Sequence, residues 1–218
     1  MEVEFEEKRL PREVRAMSAS VLLAVAFALA ASVAEVLPAE SFSEEIRGAL
    51  GSKPVEVAKN GATWMTIWPV AVAPASKREP PPGANFGSLE PGTLVGALRL
   101  EAAWTDYKGN GISPGDYTLR AWLLPEDGNH MGVAIWRDFL LLSPAAEDRS
   151  SAPRGEEALF AASNKAAGKP HPAVLALFPV PEGKKVGEVF ENEPGQQAVI
   201  FEVGGVRLGL VVVGEGEH

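Results

Sequence analysis

Asp127, Asn129, His130, Arg137 and Asp138 form the densest grouping of side chains able to do chemistry in this chain. Imidazole and carboxylate together suit zinc, manganese or iron. His130 and Asp127, joined by His171 if the fold brings it near, are therefore the candidate set for a divalent metal, and no other cofactor is expected. Their spacing matches no established metal-site motif. The competing reading is a polar hairpin loop, DGNH, whose base Arg137 and Asp138 pin. Glu126, Asp127 and Asp138 are the first carboxylates to consider for glycoside hydrolysis, which depends on a separation in space that sequence does not give.

Other reaction classes lack their residues. Ser143 and Ser163 have no nucleophile-elbow context, and GxGxxG, GxxxxGK and HExxH are all absent. With no cysteine there is no catalytic thiol, no disulfide and no lipid-attached N-terminal cysteine. The 29 acidic against 20 basic residues give a net charge of -9, which argues against a phosphate backbone as partner. Nucleic acid is thus not an expected partner.

Binding is the alternative to catalysis. Residues 117–123 alternate at period two, with Tyr117, Leu119, Ala121 and Leu123 on one face and Thr118, Arg120 and Trp122 on the other. Arg120 beside Trp122, with Trp68, Trp104 and Trp136 as further indoles, can hold a ring or a partner by stacking and cation–π contact. The competing reading is that this face is buried under another layer of the fold.

These residues need a scaffold, and the sequence describes one. Pro114-Gly115-Asp116 is turn chemistry that launches the strand at Tyr117, and residues 125–130 break it before a second apolar run at 139–142. Upstream, Asn60-Gly61 joins strands at 55–58 and 62–72 in the manner of a type I′ hairpin, with Trp64 and Trp68 on one face. A proline-rich loop spans 74–92. The strand that follows at 93–104 carries Gly96 on its apolar side, the mark of a bulge or of a close backbone approach.

A short helix is expected at 43–50. The more convincing one is 156–167, with Glu156 and Glu157 at its positive end, Lys165 at its negative end and Gly168 as its stop. Pro170 and Pro172 then enforce extended chain before a strand at 173–178. Gly204-Gly205 joins a last hairpin of 198–203 and 206–213. At least seven strands, mostly antiparallel, with one short helix in the body of the domain predict a mainly β chain, an antiparallel β-sandwich of jelly-roll-like form or a short open barrel.

Lys8, Arg9, Arg12 and Arg15 precede an uncharged run at 16–34 ending in small residues, the pattern of an export signal cleaved after Ala34. The rival is an uncleaved anchor, since that run nearly spans a hydrocarbon core of roughly 30 Å. The expected division is a signal or anchor at 1–34, a lead-in at 35–53 and one domain at 54–218.

GTLVGALRL at 92–100, ISPGDYTLR at 112–120, DGNHMG at 127–132, RDFLLLSP at 137–144 and KPHPAVLALF at 169–178 together resemble a group of secreted bacterial β-rich proteins of unknown function. That resemblance implies export and a single β domain, and it supplies no activity or catalytic residue. The expected function is an exported, non-catalytic domain that binds a ligand or protein partner through the loops 80–92 and 127–130 at one end. The alternatives are an envelope accessory subunit held in the membrane by 16–34, and a metal-dependent hydrolase using His130, His171 and Asp127.

Overall fold

The computed structural model describes residues 38–72, 79, 81–125 and 136–214. The expected signal or anchor at 1–34, and with it cleavage after Ala34, lies outside the described residues, as do Glu126, Asp127, Asn129 and His130. Among the described residues no helix is long and apolar enough to cross a membrane.

The chain is mainly β. In order it forms α1 (Glu44–Ala49), β1 (Val55–Lys59), β2 (Ala62–Pro69), β3 (Leu94–Leu100), β4 (Trp104–Thr105), β5 (Gly111–Ile112), β6 (Gly115–Leu123) and β7 (Asp138–Pro144). These are followed by α2 (Glu156–Ala167), β8 (Val174–Phe178), β9 (Val189–Glu193), β10 (Gln196–Val203) and β11 (Val206–Val213). Nine strands make one sheet in the order β1-β2-β3-β6-β7-β8-β11-β10-β9, with every pairing antiparallel. β4 and β5 pair separately.

The sheet curls until it is nearly closed, like a barrel. This differs from a sandwich of two hydrogen-bonded sheets, because β8 pairs with β7 on one side and β11 on the other and so carries the ladder through. Register shifts in β1, in β3 and at the start of β10 supply the bends, since a bulge kinks its strand and increases its twist.

Local chemistry sets the turns. Asn60 and Gly61 both have positive φ, 54° and 80°, as a type I′ hairpin turn requires. Gly96 answers to both of its sequence expectations. The register slips beside it, and a Cβ there would lie 2.5 Å from the Trp68 carbonyl oxygen. No side chain fits between these two strands at that point.

The concave face forms the main core, in which Met65, Ile67, Leu98, Leu119, Leu140 and Leu175 are fully buried. The convex face is covered too. α2 lays Leu159 against Phe139, Leu141, Val174 and Ala176, and each such apolar side chain contributes roughly 1.5–3 kcal/mol by leaving water. Next to α1, Phe42 meets Trp68 edge-on at 6.4 Å. The two tryptophans of β2 are thus packed sheet residues, buried at 7% and 1% exposure, rather than an open platform.

α1 begins at Ser43, whose Oγ accepts from the Ile46 amide at 3.2 Å. α2 ends at Gly168 in the left-handed conformation, φ 62°. With both faces of β6, β7 and β8 covered, the convex-face polar residues become interior ones.

Candidate functional site

Arg120 is the clearest case. It sits on the convex face of β6 with 0% exposure, and all five of its N–H donors are used within the protein. Nε donates to Asp148 Oδ2 at 2.6 Å and Nη2 to Asp148 Oδ1 at 2.9 Å. The remaining donors reach the Gly92 and Ala152 carbonyls from Nη1 at 2.7 and 2.8 Å, and the Ser150 carbonyl from Nη2 at 2.5 Å. Thr118 Oγ1 also donates to Asp148, at 2.5 Å, and Arg154 approaches it at 3.3 Å. The guanidinium therefore organises the turn 147–154 over the sheet.

The same turn is fastened from the other side. Glu45 of α1 accepts from Ser150 Oγ, Ser151 Oγ and the Ser151 amide at 2.8–3.0 Å. The hydrogen bonds from Ser151, then that from Ser150, hold the Glu45 carboxyl below its ordinary value. Gly92 is the joint: its carbonyl accepts from Arg120 and from the Arg154 amide, and its φ is 85°. A Cβ on Gly92 would lie 2.0 Å from the Arg154 oxygen.

Trp122, two residues along the same face, is half-buried. Its ring meets Phe160 of α2 at 4.8 Å and 64°. The other indoles do not gather around it. Trp68 packs under Phe42. Trp104 donates its Nε1 to the Val212 carbonyl at 2.7 Å and lines a groove with Trp64 and Lys59 at the opposite end of β6. Trp136 is 38% exposed beside Arg137.

Arg137 and Asp138 work where β6 ends and β7 begins. Asp138 Oδ2 accepts from the Asn85 amide at 2.8 Å and its side-chain nitrogen at 3.0 Å, and Oδ1 accepts from the Phe86 amide at 3.3 Å. Arg137 donates from Nε and Nη2 to the Leu124 carbonyl at 3.0 and 2.9 Å, and from Nη1 to that of Pro82. Gly83 lies so close to the Arg137 side chain that a Cβ would come within 2.9 Å of its Cδ. Together the pair straps the proline-rich loop 81–92 across the end of the sheet, where Phe86 and Leu89 enter the core.

Under that loop is a cavity of about 180 Å³. Pro81, Ala84 and Leu89 form one wall, and Trp122, Leu123 and Phe139 the other. Glu79, Glu90 and Asp138 also line it. Its volume suits a single small apolar group.

His171 is exposed, with Nδ1 2.9 Å from the Pro172 carbonyl oxygen. Among the described residues no group of three histidine, cysteine or acidic side chains is placed to hold a metal. His130 and Asp127 lie outside the described residues.

Two carboxylates escaped the sequence reading. Asp148 stands in AEDRSS, a run that reads as solvated surface, and only the fold reveals Arg120 above it. Asp106 is fully buried and accepts from the Lys108 and Asn110 amides, the Asn110 side chain and the Val174 amide at 2.7–3.0 Å. The DYKGNG turn carried a signal for it, since an aspartate opening such a turn binds its own downstream amides.

Compared with protein-family models, curated proteins and solved structures, the chain matches none.

Proposed function

We propose that this chain is an exported, non-catalytic β domain that binds a small ligand, or one side chain of a partner, in the cavity beneath the loop 81–92. The observation that carries the reading is the strap. A buried carboxylate and a guanidinium hold a proline-rich loop over the end of a rigid sheet and leave an apolar hollow under it. Recognition sites are commonly loops placed by a rigid scaffold, concave and mostly apolar with a few polar groups.

Asp138 accepts from the Asn85 amide and side chain and from the Phe86 amide, and Arg137 donates to the Leu124 and Pro82 carbonyls, so both side chains serve to hold the loop, which supports binding over catalysis. Export rests on the basic residues 8–15 ahead of the uncharged run 16–34. A nuclear magnetic resonance titration of the full chain with benzyl alcohol tests the site. Shifts at Ala84, Leu123 and Phe139 are expected; shifts confined to the Trp64 and Trp104 groove would move the site to the other end of the sheet.

A further inference from the structure

The chain contains two Asn-Gly pairs, Asn60-Gly61 and Asn110-Gly111, and the fold treats them in opposite ways. In such a pair the glycine nitrogen can attack the asparagine side-chain carbonyl, because glycine has no Cβ to hinder the approach. Asn60 and Gly61 are the tip of the β1–β2 hairpin, where residues 58–63 are all exposed. A Cβ on Gly61 would meet nothing within 4 Å. Among the described residues, neither the Asn60 side chain nor the Gly61 amide has a hydrogen-bond partner. β1 is an edge strand held by β2 alone. Local opening at such a tip lets the turn leave its type I′ shape and bring nitrogen and carbonyl together.

Asn110 is the reverse case. It is buried at 5% exposure, and its side-chain nitrogen donates to Asp106 Oδ2 at 3.0 Å. Its own amide donates to Asp106 Oδ1 at 2.7 Å, and its carbonyl accepts from the Asp106 amide at 2.9 Å. The nitrogen that would have to leave is therefore held by a fully buried carboxylate.

We propose that Asn60 is a site of spontaneous covalent modification, converting to aspartate and isoaspartate, and that Asp106 protects Asn110 from the same fate. The Gly61 nitrogen gives its proton to solvent and bonds to Asn60 Cγ. The bond from Cγ to the side-chain nitrogen breaks, so that ammonia leaves and a cyclic imide remains. Water then opens the imide at Cγ to give aspartate, or at the main-chain carbonyl to give isoaspartate; no oxidant or reductant is consumed. Either product places a carboxylate beside Lys59, whose Nζ lies 5.3 Å from the centre of the Trp64 ring. Isoaspartate also adds a carbon to the backbone, and a two-residue turn between Lys59 and Ala62 cannot absorb it without loosening that pair.

The test holds the full chain in mildly alkaline buffer, native and in guanidinium chloride, then digests samples in mild acid and maps both sites by mass spectrometry. In the native chain Asn60 is expected to convert at least about tenfold faster than Asn110, since burial gates the latter by local unfolding. In guanidinium chloride the two should convert at similar rates. Asn60→Gly, which suits the positive φ but has no side chain to convert, should remove most of the isoaspartate formed by the native chain.

An Asn60 that stays intact in the native chain overturns the proposal, since the turn then blocks the reaction. Equal native rates at the two sites, or a difference that persists in guanidinium chloride, overturn the protection assigned to Asp106. Isoaspartate undiminished in Asn60→Gly would place the modification elsewhere.

Discussion

The Arg120 guanidinium and the Asp148 carboxylate meet as a two-bond fork, Nε to Oδ2 and Nη2 to Oδ1, in a place without solvent. The remaining Arg120 donors close on three backbone carbonyls of the loops on either side. Arginine suits this position because its fork is planar and always charged.

Removing one partner of such a pair leaves the other charged and buried. Arg120→Ala is expected to cost about 3–5 kcal/mol, read as a lower denaturant midpoint. Arg120→Lys keeps the charge but offers one nitrogen in place of the fork, and should recover only part of that loss.

Asp138 is expected to act locally. Asp138→Ala leaves the Asn85 and Phe86 amides without their acceptor, a cost of about 1–3 kcal/mol. Hydrogen exchange should quicken at those two amides, and not at the β10 and β11 amides on the far side of the sheet. Uniform acceleration would mean that the strap holds the fold as a whole rather than the loop.

Two glycines separate backbone strain from crowding. Gly205 has φ 89° with open space around its missing Cβ, so Gly205→Ala should cost only about 1–2 kcal/mol for the left-handed backbone. Gly92→Ala carries the same strain and adds a clash with the Arg154 backbone, so its cost should be clearly larger in the same unfolding experiment.

Acid should loosen the lead-in. Asp116 accepts from Arg99 Nε at 2.8 Å, Arg99 Nη2 at 3.2 Å and Ser41 Oγ at 2.5 Å. Burial pushes its carboxyl up, but the hydrogen bonds from Arg99 and Ser41 and the charge of Arg99 together outweigh this and hold it below its ordinary value. A carboxyl lowered in the folded state stabilises fully above its unfolded value, about 4, and loses that contribution as pH falls through the lower folded value. Asp116→Asn should therefore cost stability at neutral pH and flatten the decline in stability below pH of about 4; unfolding free energies across pH check both.

Much of the scaffold was legible because turn chemistry and periodicity are local. Asn60-Gly61, Gly204-Gly205 and the 156–167 helix with its Gly168 stop all stand where their residues put them. β9 was not legible: its residues VFENE lie at the sheet edge with alternate side chains exposed, and only the Pro194-Gly195 turn marked it. Whether the strands form two sheets or one curled sheet is decided by the two-sided pairing of β8, a long-range property that no local pattern carries. The candidate residues divide in the same way. The period-two reading placed Arg120 and Trp122 on one face correctly, but what covers that face, Asp148 over one and Phe160 over the other, is distant in sequence. Arg137 and Asp138 do pin the base of a loop; the loop they are seen to hold is 81–92.

The central claim is that the hollow between the strapped loop and the β6–β7 end is where the ligand sits, and crystals of the full chain soaked with benzyl alcohol test it most directly. The expected result is ring density between Leu89, Leu123 and Phe139. Density only in the Trp64 and Trp104 groove, or an empty hollow at saturating benzyl alcohol, would contradict it.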